Sequence, residues 1–115
     1  SGAKGARELL SLEKPPTAIF ASNDQTAMGV FQVAGEMGIR VPDDLSVMGF
    51  DNITESKYMG LTTIDQFISE MGFVATQMLI KLINGEPLDT QTYRMQTRLV
   101  LRNSCREMVT THNPR

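Results

Sequence analysis

Two short segments of this chain, residues 17–22 (TAIFAS) and 45–50 (LSVMGF), are apolar with almost no alternation. A strand with one wet face alternates. An unbroken apolar run this short suits a strand covered on both faces, as in a parallel sheet with helices above and below. Between the two runs, Ala27, Phe31, Ala34 and Met37 recur at helical spacing. That helix starts at good capping residues, Asn23 and Asp24, and stops at Gly38.

The same alternation of patterns fills the rest of the chain. Ala6, Leu9 and Leu10 predict a short helix over residues 5–13, closed by Pro15 and Pro16. Residues 54–59 suit one helical turn, and residues 61–64 (LTTI) a third strand. Ile68, Met71, Gly72, Ala75, Met78, Leu79 and Leu82 mark one long helix, capped by Asn84 and Gly85. Phe73, Val74, Ile80 and Ile83 lie off that stripe, so the helix is apolar on more than one face. Residues 93–102 alternate, with Tyr93, Met95, Leu99 and Leu101 opposite Arg94, Gln96, Arg98 and Arg102, which predicts a strand with one wet face. The tail from Ser104 is polar and is expected to fray. Strands alternating with helices imply right-handed crossovers and a parallel sheet, hence an α/β, Rossmann-like lobe.

Composition narrows the function. The 115 residues are 41% apolar and 21% charged, as expected of a folded chain. Lys and Arg total 11 against 13 Asp and Glu, a net charge of -2, so there is no basic excess for gripping a phosphate backbone. No apolar run approaches the length of a membrane span. A single cysteine, Cys105, cannot form an internal disulfide and fits a reducing compartment. With one histidine, His112, it cannot build a zinc site, so no metal or cofactor is expected. The motifs G-x-G-x-x-G, G-x-x-x-x-G-K, G-x-S-x-G and H-E-x-x-H are absent, and a nucleophile would lack a base. No catalytic residue is therefore assigned. Asp43 and Asp44, in a proline-containing loop, read as a solvated turn. The start at Ser1, without Met or a secretory apolar stretch, fits a tag remnant, a cleavage product or an internal cut.

One constellation points to binding. In open α/β sheets, ligands sit beyond the carboxyl ends of the strands. Three predicted strands end in small polar side chains: Asn23, Asp51 and Gln66. On adjacent parallel strands these converge, and two amides with a carboxylate both donate to and accept from vicinal hydroxyls. Phe20, Phe50 and Phe67 flank them and suit the C–H face of a sugar or a flat base. Each residue also has a purely structural alternative. Asn23 serves equally as a helix cap, Asp51 as a turn former, Gln66 as a helix-start residue and the phenylalanines as core.

The blocks S-N-D after a strand, V-P-D-D before one, G-F-D-N after it and T-T-I-x-Q, with a closing RLVLRNSC, together resemble the lactose/galactose-repressor (LacI/GalR) family of bacterial transcription regulators. A looser similarity exists to periplasmic sugar-binding proteins. The resemblance covers about residues 15–106. It implies a lobe of a type I periplasmic-binding-protein-like fold, incomplete here, with a helix-turn-helix domain and most of the first lobe lying outside this chain. It implies effector contacts at Asn23, Asp51 and Gln66, followed by an apolar contact at Phe67 or Ile68. It also implies a dimer face with Met28 and Tyr58. Residues 1–66 would then belong to the C-terminal lobe, residues 67–85 to a helix of the other lobe, residues 86–106 to a returning strand segment and residues 107–115 to a polar tail.

The expected function is effector sensing by a cytoplasmic, homodimeric regulator that meets DNA only through its helix-turn-helix and no membrane at all. The effector is a sugar or nucleobase-like molecule. Asp51, with no Lys or Arg just after the strand ends, argues against a phosphorylated one. The competing functions are a sugar-binding protein of a transport system and a small α/β enzyme. The long apolar helix carries its own expectation: without the first lobe, it packs back on its own sheet or against a second copy of the chain, unless the chain is one piece of a longer molecule.

Overall fold

A computed structural model describes residues 1–108. The elements run α1 (Gly2–Leu10), β1 (Ala18–Phe20), α2 (Asp24–Glu36), β2 (Ser46–Met48), α3 (Thr54–Met59), β3 (Thr63–Asp65), α4 (Ile68–Ile83) and β4 (Arg98–Val100). The predicted order of helices and strands is met throughout. His112 and most of the polar tail lie outside the described residues.

Local signals explain the helix ends. The Ser1 side chain accepts from Lys4 N, so α1 begins earlier than its apolar spacing suggests, and it ends at Leu10, well before the prolines. Asn23 Oδ1 accepts from Thr26 N at 2.8 Å and starts α2. At the other end Gly38, with φ +70°, donates to Gly35 O, while Ile39 N donates to Ala34 O at 2.8 Å. These paired bonds satisfy the last carbonyls and return Ile39 to the core.

Helices α1 and α2 cross almost backbone to backbone. A Cβ at Gly29 would overlap Ala3 N, and one at Gly2 would overlap Thr26 O. Ala6 and Leu10 of α1 thereby join Ala27, Val30, Val33 and Ala34 of α2 in the core, with Leu45, Val47 and Leu61 beneath. Gly29→Ala is expected to destabilise by about 1–3 kcal/mol through overpacking. Gly35→Ala, at an exposed site with open space, should stabilise by up to ~1 kcal/mol through helix propensity. Denaturant midpoints check the pair, and equal midpoints would contradict the close crossing.

The strands form two ribbons. β1 and β2 pair in parallel, with Ile19 opposite Val47, and their ladder continues through Ala21 N to Met48 O and Asp24 N to Phe50 O. A parallel bridge between Met48 and Thr62, extended by Asp51 N to Ile64 O at 2.8 Å, joins β2 to the β3 segment. β4 pairs with β3 in antiparallel register, Asp65 opposite Arg98, so the sheet is mixed rather than wholly parallel. The chain leaves β3 through α4 and comes straight back beside it, because α4 does not cross over the sheet. Nor is β1 covered on both faces: Ala18 is exposed and Phe20 is 65% exposed, since α1 lies on α2 instead of under the strand.

The chain from Ser104 is not frayed at its start. Ser104 is 3% exposed and fills the gap where β2 and the β3 segment splay apart. Its Oγ donates to Val47 O and accepts from Thr62 N, and its carbonyl accepts from Val47 N. A polar residue is held there because its hydroxyl, as donor and acceptor, and its carbonyl are all satisfied. Asp43 and Asp44 remain a solvated turn. The Arg40 guanidinium, hydrogen-bonded to the exposed Asp44 carboxylate, holds the latter below the usual carboxylate range.

Helix α4 overturns the expectation that it packs on its own sheet. None of its residues is buried. It projects outward, giving a radius of gyration of 19.1 Å where a compact chain of this length has about 13 Å. Val74 and Met78 are half-buried along a groove shared with Leu88 of the returning loop, and the remaining apolar positions face water. No described helix is long and apolar enough to cross a membrane.

Candidate functional site

The carboxyl ends of β1, β2 and β3 lie side by side, so the strand-end residues come to one edge. Gln66 Nε2 donates to Asp51 Oδ1, which joins two of the three predicted site residues directly. Asn23 sits at the end of β1 as the cap of α2, and among the described residues its Nδ2 has no protein partner. The cap role is thus met by one atom of the amide, and the other stays available. Phe20, beside it on β1, is exposed rather than core.

The edge is built from unusual backbone. Asp51 has φ 124°, Asn52 φ 56° and Phe67 φ 54°. Asn tolerates the left-handed region, whereas for Asp51 at that angle and for the bulky Phe67 it is strained and persists only where surroundings enforce it. The enforcing groups are visible. Asp65 Oδ1 accepts from Phe67 N at 2.9 Å, and Asp65 Oδ2 accepts from Asn52 Nδ2 at 3.3 Å. Asn52 N donates to Thr63 Oγ1 at 3.3 Å, and Arg102 Nη2 donates to Asn52 Oδ1 at 2.8 Å.

A groove of ≈ 530 Å3 opens at this edge, lined by Asp51, Asn52, Asp65, Phe67 and Ile68 among others. It takes in both the carboxylate and the two apolar residues expected after Gln66. Gln66, Asn23 and Phe20 do not line it, and Gln66 meets it only through Asp51. A second groove, ≈ 360 Å3, lies at the opposite ends of the strands between Phe31, Met59 and Asn103, and no predicted site residue reaches it.

Sequence reasoning missed part of this edge. It found no cation near the strand ends, yet β4 and the segment after it bring two. The Arg98 guanidinium lies 5.9 Å from the Phe67 ring centroid, a cation–π distance, and Arg102 is engaged by Asn52 and Leu61 O. It also treated Asp24 only as a helix-start residue, although that carboxylate is 0% exposed. The spacing of a strand that returns antiparallel carries no hint of which residues it will face.

Met28 on α2 and Tyr58 on α3 are both on the surface, Tyr58 at 81% exposure. No group of three or more potential metal ligands occurs among the described residues.

Comparison with known proteins identifies the family and the fold. The family described as "Periplasmic binding protein-like domain" matches residues 1–105. The chain is 43% identical over 103 residues to the ribose operon repressor of Halalkalibacterium halodurans, covering 88% of this chain and 31% of that protein. It superposes on a LacI-type transcription regulator from Bifidobacterium animalis subsp. lactis with a TM-score of 0.85 at 37% identity, covering 93% of this chain and 39% of that one. A LacI family regulator from Lactobacillus casei, solved with bound sucrose, matches with a TM-score of 0.78 at 29% identity, covering 90% and 39%. The chain spans about a third of the length of the curated relatives it matches.

Proposed function

The chain belongs to the periplasmic binding protein-like domain family, in the form found in LacI/GalR-type regulators, and from that premise we propose that it forms the effector-facing and pairing portion of a transcription regulator. The proposed effector is a small polar molecule, a sugar or a nucleobase-like compound. The observation that carries this reading is the contact between Gln66 and Asp51 in a strained turn that opens on a groove. Gln66 orients one carboxylate oxygen, which leaves the other to accept from ligand hydroxyls. Phe67 supplies an apolar face for a ring inside the groove. Asn23 Nδ2 and the exposed Phe20, outside the groove at the same sheet edge, offer a donor and a further apolar face to a ligand that extends beyond it. The activity is binding, with no bond made or broken. Ligand held at this edge biases the arrangement of two lobes and hence a DNA-binding domain carried elsewhere in a cytoplasmic, full-length protein.

Calorimetric titration of the full-length protein with free sugars and free nucleobases tests the reading. Saturable binding by one class, coupled to a change in DNA affinity, is the expected result. Binding by neither class would overturn it.

Met28 and Tyr58 are the proposed contacts of a two-fold homodimer, since a regulator of a palindromic site needs matching symmetry. Met28→Asp would bury an unpaired charge at that surface. Ultracentrifugation of the full-length variant should show monomers, and persistent dimers would remove Met28 from the interface.

A further inference from the structure

We propose that Asp24 is the positioning residue of the ligand edge: its buried carboxylate, acting through the Thr63 hydroxyl, holds Asp51 and Asn52 in the backbone conformation that turns Asp51 toward the groove. The proposal rests on the reading of Asp51 as a ligand contact.

Asp24 makes no ion pair among the described residues. A carboxylate taken out of water without a cation must be satisfied by hydrogen bonds, and this one is. Oδ2 accepts from Ile53 N at 3.0 Å and from Ser56 Oγ. Oδ1 accepts from Thr63 Oγ1 at 2.6 Å. Its place in the first turn of α2 adds the favourable end of the helix dipole. The three donors come from three segments: the turn after β2, helix α3 and strand β3. The carboxylate therefore ties the turn after β2 and the start of β3 to the helix that follows β1. Gly49 makes room for it, because a Cβ there would overlap Asp24 Oδ1.

The link to Asp51 runs through one hydrogen atom. The Thr63 hydroxyl donates to Asp24 Oδ1, so its single hydrogen is committed there. That leaves a Thr63 lone pair to accept from Asn52 N. The backbone at Asp51, Asn52 and Ile53 is anchored by three N–H bonds, to Ile64 O, Thr63 Oγ1 and Asp24 Oδ2. Two of the three depend on Asp24, directly or through Thr63. With φ 124° at Asp51 and 56° at Asn52, the turn relaxes when these anchors are lost. Asparagine at position 24 would set an N–H2 either against Ile53 N and Ser56 Oγ or against the Thr63 hydroxyl, so one of the two anchors is lost.

Residue-resolved amide exchange on the ligand-free, full-length protein tests the relay, using Thr63→Val, Thr63→Ser and Asp24→Asn. In Thr63→Val the Asn52 amide should exchange about tenfold faster, while Ala21 and Ser46, in the β1–β2 ladder, keep their parental rates. Thr63→Ser keeps the hydroxyl and should restore the parental rate at Asn52. Asp24→Asn should speed at least one of Asn52 and Ile53, and a change in neither overturns the proposal. If that variant does not fold, the Thr63 pair decides. An unchanged Asn52 rate in Thr63→Val overturns the proposal. So does acceleration of Ala21 and Ser46 to the same degree, which marks general loosening, or failure of Thr63→Ser to restore protection. Because no ligand is present, failure of the effector reading shows separately, as binding that survives loss of the Asp51 side chain.

Discussion

Replacing Asp51 with alanine in the full-length protein is expected to weaken effector binding by about 2–3 kcal/mol, roughly 30- to 150-fold in Kd. Two losses combine. The ligand loses a charged acceptor whose orientation Gln66 fixes. The turn also loses its side-chain bond to Gln66, one of the contacts that accompany Asp51 at φ 124°. Asp51→Asn separates the two effects. It keeps an acceptor for Gln66 and tolerates the turn, so its loss of affinity should lie between those of the parent and the alanine variant. Asp51 is only half-buried and lies outside the core, so the unfolding midpoint should move little in either variant. Calorimetry with the effector checks both changes. Unchanged affinity in Asp51→Ala would mean that the side chain only shapes the turn.

The contrast between Asp51 and Asp24 shows what a sequence of this kind discloses. Asp51 follows a buried apolar run, and the rule that ligands gather at strand ends singles it out without any knowledge of its neighbours. Helices α2 and α4 were equally legible, because apolar spacing and the stops at Gly38 and at Asn84 and Gly85 are local signals. Asp24 looks like any acidic residue in a first helical turn, and its role exists only once Ile53, Ser56 and Thr63 are brought to it from far along the chain. Strand direction was illegible for the same reason. The period of residues 93–102 is the same whether the strand runs parallel or antiparallel, so neither the pairing of β4 with β3 nor the approach of Arg98 to Phe67 is encoded in it. Ser104 was misread because a short polar residue near a chain end suggests fraying. Its burial depends on the gap between β2 and the β3 segment, a feature of the sheet and not of residues 103–106. The covered strand read into residues 17–22 is half met: the apolar run does form β1, but one side of it stays open.

That open surface is small beside α4, whose behaviour is the larger expectation. Phe73, Leu79, Ile80, Leu82 and Ile83 all face water, Ile83 at 73% exposure. Burying a large apolar side chain fully is worth about 1.5–3 kcal/mol, so these exposed residues together leave on the order of 10 kcal/mol unrealised. A patch of this kind associates with whatever apolar surface is offered. Expressed by itself, the chain is therefore expected to self-associate through α4, with a sedimentation coefficient that rises with concentration. Phe73→Glu combined with Ile80→Glu should return it to a monomer. Helix propensity is preserved by glutamate, so circular dichroism should stay unchanged. In the full-length protein the same double substitution should lower the unfolding midpoint instead, because there α4 would be covered by the remainder of the effector-binding core. A parental chain that stays monomeric across the concentration series, with α4 still helical, would show that the returning loop with Leu88 suffices as its partner. An α4 that melts in isolation would show that its helical form depends on the covering lobe, as expected of a segment that gains most of its stability from tertiary packing.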